Sequence, residues 1–240
     1  SHIPISYAVF CLKKKKEISQ LLADKPTISF HVDAVQAIGK VPTEQYLTDR
    51  VDFASFSGHK FHSVRGVGFV YIKAGKKIAP LLTGGGQESD KRSTTENVAG
   101  IAATAKALRL TLDKDKATDS QKQLAAMKQI LVDELSKYQD VTIFSGIENF
   151  VPSILTFGIK NIRGEVIVHA FEDHQIYIST TSACSSKAGK PAGTLIAMGV
   201  PQKLAQTAVR VSLDDDNDMG QIEQFLTIFK QIYHNTQKVR

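Results

Sequence analysis

Three short apolar runs constrain the first third of the chain: residues 27–32 (TISFHV), 51–56 (VDFASF) and 67–72 (VGFVYI). Each is too brief for a helix, is rich in β-branched and aromatic residues, and is bounded by polar residues or glycine, the marks of a buried strand. The first ends at Asp33, and the second runs into Ser57, Gly58, His59 and Lys60. Residues 43–47 read as a short helix. After a glycine turn at 84–86, residues 96–112, rich in Ala and Leu, read as a long one. Strands alternating with helices imply an α/β sheet. The polar stretch 113–119 (DKDKATD) reads as a domain boundary. Beyond it come an amphipathic helix (120–138), strands (141–144, 153–157), a helix (165–174), two more strands (176–179, 208–213) and a closing helix (221–234), a pattern of α+β type.

Composition narrows the class. At 42% hydrophobic and 22% charged over 240 residues, the chain has the apolar content that a disordered one lacks. It has no run of eighteen apolar residues, which excludes a membrane-spanning helix. The charges of Lys13–Lys16 follow the opening apolar run, the wrong order for a secretory signal. Two cysteines, Cys11 and Cys184, make no disulfide framework, so a reducing compartment, the cytoplasm, is expected. The net charge of +6 comes partly from Lys13–Lys16 and from Lys73, Lys76 and Lys77. Neither group is interleaved with aromatics, so both read as solvated basic faces, with no nucleic acid bound directly.

The chemistry-bearing residues gather past the strand ends, where open α/β sheets hold ligands. Lys60 can form a Schiff base if desolvation or nearby cations lower its pKa. Ser57 and His59 can donate to a phosphate, Asp33 can pair with a protonated pyridine nitrogen, and Gln36 can donate to a phenolic oxygen. Alone, Lys60 reads as a surface lysine and Asp33 as a cap or turn residue. Together, all five are accounted for by one cofactor, pyridoxal phosphate. Cys184 lies in residues 179–194 (STTSACSSKAGKPAGT), a segment with almost nothing to anchor a core. It is either a mobile, sulfur-carrying thiol near Lys187 or an unreactive surface cysteine. Arg210, in the alternating AVRVSL, can clamp a carboxylate with two hydrogen bonds or simply face outward. His31, His62, His169, His174 and His234 form no metal-like pattern with cysteine or carboxylates, so no metal is expected.

HVDAVQAIGK followed by VDFASFSGHKFHSVRGVGFVYI resembles the class-V, fold-type-I pyridoxal-phosphate enzymes, and more narrowly the cysteine desulfurases. The resemblance runs from about residue 16 to residue 235. It implies an aspartate-aminotransferase-like fold. Residues 1–115 would be the C-terminal part of a large cofactor-binding domain with a parallel-rich mixed sheet, and 116–240 a small α+β domain. It implies Lys60 as the Schiff-base lysine, Asp33 on the pyridine nitrogen, Gln36 on the phenolic oxygen, and Ser57 and His59 on the phosphate. Residues 84–97 (GGGQESDKRSTTEN) match the loop that reaches a second subunit's site, so Thr95 would bind phosphate across a homodimer interface. Thr94 stands where the family usually has glycine, and a β-branched residue resists positive φ.

The same resemblance makes Cys184, in SACSS, the persulfide-forming cysteine, with Thr181 where glycine is frequent. It makes Arg210 the substrate-carboxylate arginine, although the acidic DDDNDM (214–219) departs from the usual continuation. The implied activity converts L-cysteine to L-alanine and passes sulfur, as a persulfide, to an acceptor protein for Fe–S cluster assembly or tRNA thiolation. The alternatives are another class-V enzyme, such as a selenocysteine lyase or an aminotransferase (the latter without need of Cys184), and a non-catalytic chain that binds sulfur acceptors. The family's N-terminal phosphate loop, ring-stacking histidine and substrate asparagine have no counterpart here. Residues 1–15, with Cys11, do not fit the pattern expected just before KEISQLL, so the expectation is a C-terminal portion of a longer enzyme.

Overall fold

The first three apolar runs pair into one sheet, to which the first contributes only its end. In the computed structural model, which describes residues 17–147, 150–180 and 193–238, these are β1 (His31–Asp33), β2 (Phe53–Ser57) and β3 (Gly68–Ile72), in the order β1-β2-β3. β1 runs parallel to β2, with Asp33 opposite Ser55. β3 runs antiparallel to β2, with Val70 opposite Ser55 and Gly68 opposite Ser57. The residues ahead of β1 turn instead of extending, because their carbonyls are taken by Arg50. Its guanidinium donates to the Leu22 oxygen at 2.8 Å, to Lys25 at 3.0 Å, and to Ile28.

The chain divides into two compact units, Ser1–Ala117 and Thr118–Arg240. In the first, Val32, Ala54 and Phe56 form one sheet face and join Tyr46, Phe61 and Ala107 in a core. Helix α1 (Val98–Thr111) buries Gly100, Thr104 and Ala107, and Asn97 caps it by accepting from the Gly100 N–H at 3.0 Å. Asp52, 2% exposed, accepts from the Phe30 N–H (2.8 Å) and pairs with Arg50 (2.8 Å) and Lys76 (3.0 Å). Burial alone would raise its carboxyl. The backbone N–H and the two cations outweigh that and hold it at about 2. Lys76 of the basic cluster therefore serves the fold.

The expected break at 113–119 is not a loop: α2 (Lys114–Leu135) begins inside it, and the division between units falls within that helix. DKDKATD holds no glycine or proline, and Lys and Ala favour helix, so polarity alone does not end one. The second unit has strands β4 (Val141–Ile143), β5 (Ile154–Ile159), β6 (Ser179–Thr180) and β7 (Ala208–Ser212), all antiparallel in the order β4-β5-β7-β6. Its core joins Leu155, Phe157, Val209 and Val211 of the sheet to α2, to α3 (Gly164–Glu172) and to α4 (Met219–Lys238). The acidic run 214–218 is the entry to α4: Asp218 caps it, accepting from the Gln221 N–H at 2.9 Å. No described helix is long and apolar enough to cross a membrane.

Lys128 of α2 is 1% exposed. Its ammonium donates to the Val151 carbonyl at 2.9 Å and stands 5.6 Å over the Phe150 ring. Burial pushes its pKa down to about 8 from 10.5. Below pH 8 folded and unfolded chains both carry the charge, and the full burial penalty applies. Between 8 and 10.5 only the unfolded chain stays charged, so stability rises with pH. Relative to a Lys128→Met variant, the free energy of unfolding is expected to rise by about 3 kcal/mol across that window, read by urea titration at its two ends. A difference independent of pH would contradict this.

Candidate active site

Parallel pairing of β1 and β2 brings their carboxyl ends to one edge, so Asp33 and the Ser57–Lys60 stretch collect there. Asp33 is exposed, and its Oδ1 accepts from the Val35 N–H at 3.1 Å. The ladder continues one step past it, with the Ala34 N–H donating to the Ser55 carbonyl at 3.0 Å. His31, two residues earlier and therefore on the same face, makes a 2.8 Å contact from Nε2 to Ser55 Oγ.

After half-buried Ser57, the chain closes into a single 3-10 turn, Gly58–Lys60, which leaves His59 and Lys60 exposed. The turn is tightly held. The Gly58 N–H donates to Val67 O at 2.9 Å, the N–H groups of Phe61 and Ser63 donate to Gly58 O at 3.0 and 3.1 Å, and Phe61 is 1% exposed. Gly68 is required, and Gly58 sits where a side chain would be tight. A Cβ on Gly58 would meet Val67 O at 3.0 Å and Thr104 Oγ1 at 3.1 Å, and one on Gly68 would meet Phe56 O at 2.4 Å. Ser63 and Thr104 share a 2.8 Å hydroxyl hydrogen bond, and the Thr104 hydroxyl also donates to Gly100 O at 2.8 Å, tying the turn to α1. Sequence reading passed over this pair. Its signal was a buried threonine inside an alanine-rich helix.

The remaining expected residues stand differently. Gln36 is half-buried, and its Oε1 accepts from Lys40 at 3.2 Å. Its amide nitrogen is the group that would donate to a phenolic oxygen. Thr95 is exposed on the segment before α1 and, among the described residues, has no side-chain hydrogen bond to the β1/β2 edge. Thr94 accepts from Arg92 and is not among the residues with positive φ. The strain of this loop falls instead on Glu88, Ser89 and Asp90, three consecutive left-handed residues with φ of 53°, 54° and 62°. Arg210 lies in the second unit on β7, opposite Thr156 of β5 and Ser179 of β6. Its Nε is buried without a hydrogen-bond partner among the described residues, a donor suited to an anion. Cys184, Thr181 and Cys11 lie outside the described residues.

Pyridoxal phosphate asks for a carboxylate at its ring nitrogen, an amine at its carbonyl and donors at its phosphate. One edge of the first sheet offers Asp33, Lys60, Ser57 and His59 on a backbone that two glycines hold close, so the donor set fits.

Residues 11–225 match the class-V aminotransferase family. The NifS/IcsS protein homolog of Lactobacillus delbrueckii subsp. bulgaricus is 48% identical over 229 residues, which are 93% of this chain and 58% of that protein. The cysteine desulfurase IscS of Dictyoglomus turgidum is 38% identical over 202 residues, covering 82% of this chain and 50% of its own length. Among solved structures, a NifS-like protein matches with a TM-score of 0.80 at 34% identity, over 91% of this chain and 56% of that one. A NifS-like protein from Rickettsia africae matches with a TM-score of 0.77 at 28% identity. The chain thus spans little more than half the length of the relatives it matches. With the family match running over most of its residues, the chain belongs to the class-V aminotransferase family, among its NifS-like and cysteine desulfurase homologues.

Proposed function

We propose that this chain carries the lysine-bearing half of a pyridoxal-phosphate-dependent cysteine desulfurase that takes sulfur from L-cysteine and leaves L-alanine. The observation that carries the reading is the common edge of β1 and β2, where Asp33 and the Ser57–Lys60 turn come together. Its support is the similarity to proteins named cysteine desulfurase. The cofactor, when bound, supplies an electron sink for the carbanion chemistry. The Asp33 carboxylate holds a proton on the ring nitrogen. Ser57 and His59 donate to the phosphate, and Gln36 to the phenolic oxygen. Lys60 would be the amine that holds the cofactor, and would take a proton from the substrate α-carbon and return one to the β-carbon. The Arg210 guanidinium holds the substrate carboxylate.

Cys184 is the sulfur acceptor of this reading. Its thiolate attacks the substrate sulfur, the carbon–sulfur bond breaks, and the electron pair stays with the carbon that Lys60 protonates. The products are alanine and a persulfide on Cys184, which a second protein's thiol can receive. Thr95 acts on the phosphate of a second copy, which makes the working unit a homodimer. The destination of the sulfur, Fe–S assembly or tRNA thiolation, lies downstream, and the setting is the cytoplasm.

The test is to add pyridoxal phosphate and then L-cysteine to the purified chain, following the visible absorbance of the bound cofactor and the release of alanine. A protein-dependent band is expected from the chain alone; alanine release is not required of a chain that carries half of the enzyme. With Cys184→Ser, the band should persist and persulfide formation should stop. Sulfur release at an undiminished rate from that variant would remove Cys184 from the mechanism, and a chain giving no protein-dependent band would overturn the reading.

A further inference from the structure

Past β1 the chain folds into a run of turns, in which the N–H groups of Ala37 and Lys40 donate to the Ala34 and Ala37 carbonyls at 2.9 and 3.0 Å. Ala34, Ala37 and Ile38 are buried in the first unit's core, while Gln36 and Lys40, four residues apart, are half-buried. Gly39 stands between them with a φ of +74°, and a Cβ there would meet Thr111 Cγ2 of α1 at 2.4 Å. Only glycine lets the turn close and lie against α1, and this sets where Lys40 stands. Its ammonium donates to Gln36 Oε1 at 3.2 Å. An ammonium has only hydrogens to offer, and a carboxamide accepts only at its oxygen, so the oxygen of Gln36 has to be the end that faces the lysine. Among the described residues, the Gln36 amide nitrogen has no hydrogen-bond partner.

We infer that Lys40 is a positioning residue, whose ammonium holds the Gln36 carboxamide by its oxygen and so keeps the nitrogen free to donate to the cofactor's phenolic oxygen. A carboxamide without such an anchor can turn over, and its oxygen would then repel the phenolic oxygen instead of stabilising its charge. The inference rests on the desulfurase reading for the role of Gln36 and adds the residue that decides which end of that amide is presented.

The first test uses the 240-residue chain without pyridoxal phosphate and reads the side-chain amide signals of its glutamines by NMR. In the unaltered chain the nitrogen–proton NOE of the Gln36 amide should exceed that of exposed Gln202. Lys40→Met should lower it by at least about half, Lys40→Arg should preserve it, and Lys77→Met, at an exposed lysine, should leave it unchanged. A Gln36 amide as mobile as that of Gln202, or one indifferent to Lys40→Met, would overturn the inference. The first of these outcomes needs no variant, so a misfolded Lys40→Met leaves the test standing. The second test adds pyridoxal phosphate and follows the absorbance of the bound cofactor against pH. A donor stabilises negative charge on the phenolic oxygen, so Lys40→Met and Gln36→Leu should each raise the midpoint, by about half a pH unit or more. Lys40→Met added to Gln36→Leu should raise it no further. An equal rise in that background would mean that Lys40 acts by its own charge and would overturn the positioning role. If no variant and no unaltered chain gives a cofactor band, the desulfurase reading falls, and the amide signals recorded without cofactor decide the role of Lys40.

Discussion

Lys60→Ala is expected to abolish site-specific attachment of pyridoxal phosphate while leaving the fold intact. The amine sits exposed at the end of a 3-10 turn, after a strand whose parallel neighbour ends in Asp33. Lys73, Lys76 and Lys77 also carry amines, so a colour change alone would not identify the reacting group. Borohydride reduction fixes the cofactor to its lysine, and peptide mass analysis then reports where. The unaltered chain should carry the adduct on the peptide containing residue 60, and Lys60→Ala should carry none there. Because Lys60 is exposed and contributes nothing to the core, stability should change by no more than about 0.5 kcal/mol. Equal labelling of Lys60, Lys73 and Lys77 would show surface amines reacting without a site.

Phe157→Ala should have the largest effect on stability, about 3–5 kcal/mol. Phe157 is 0% exposed, and its ring meets Phe229 at 5.7 Å and Phe225 at 6.4 Å, both edge-on. Truncation removes the ring from a core that β5 and α4 hold on both sides, and the gap cannot close without shifting one of them. Phe69→Ala is the internal comparison. That ring stacks on Phe56 at 4.7 Å but is 38% exposed, so its loss should cost no more than half as much. Urea denaturation of the two variants reads the contrast, and equal losses would mean that the two rings are equally buried in solution.

What the sequence disclosed follows physical lines. VDFASF and VGFVYI are legible because short runs rich in β-branched and aromatic residues favour strands, and the sheet uses residues 53–56 of the first and 68–72 of the second. TISFHV has the same composition, yet only its last residues pair. Whether Arg50 would take the carbonyls of residues 22–28 depends on a contact across the fold that no local pattern encodes. The polar run 113–119 reads as a boundary and the two units divide within it, yet it is helical, because polarity and helix breaking are separate properties. Asp33 and Lys60 are legible as strand-end residues, but their common edge depends on β1 and β2 being parallel, which short runs do not announce. The left-handed residues 88–90 had almost no local signal, since neither Glu nor Ser favours that conformation. The orphaned Nε of Arg210 is a product of packing, and spacing reveals only that the residue sits on a strand.

Gly58 and Gly68 stand like two clamps around a stretch of chain that is open between them. Val64, Arg65 and Gly66 are exposed, and a Cβ built at Gly66, whose φ of +88° favours glycine, would meet nothing within 4 Å. For protein engineering this marks a graft point. A peptide tag or reporter loop inserted after Arg65 lengthens a connection whose entropy grows only logarithmically with length. The clamps keep the strand ends, and with them the lysine turn, in register.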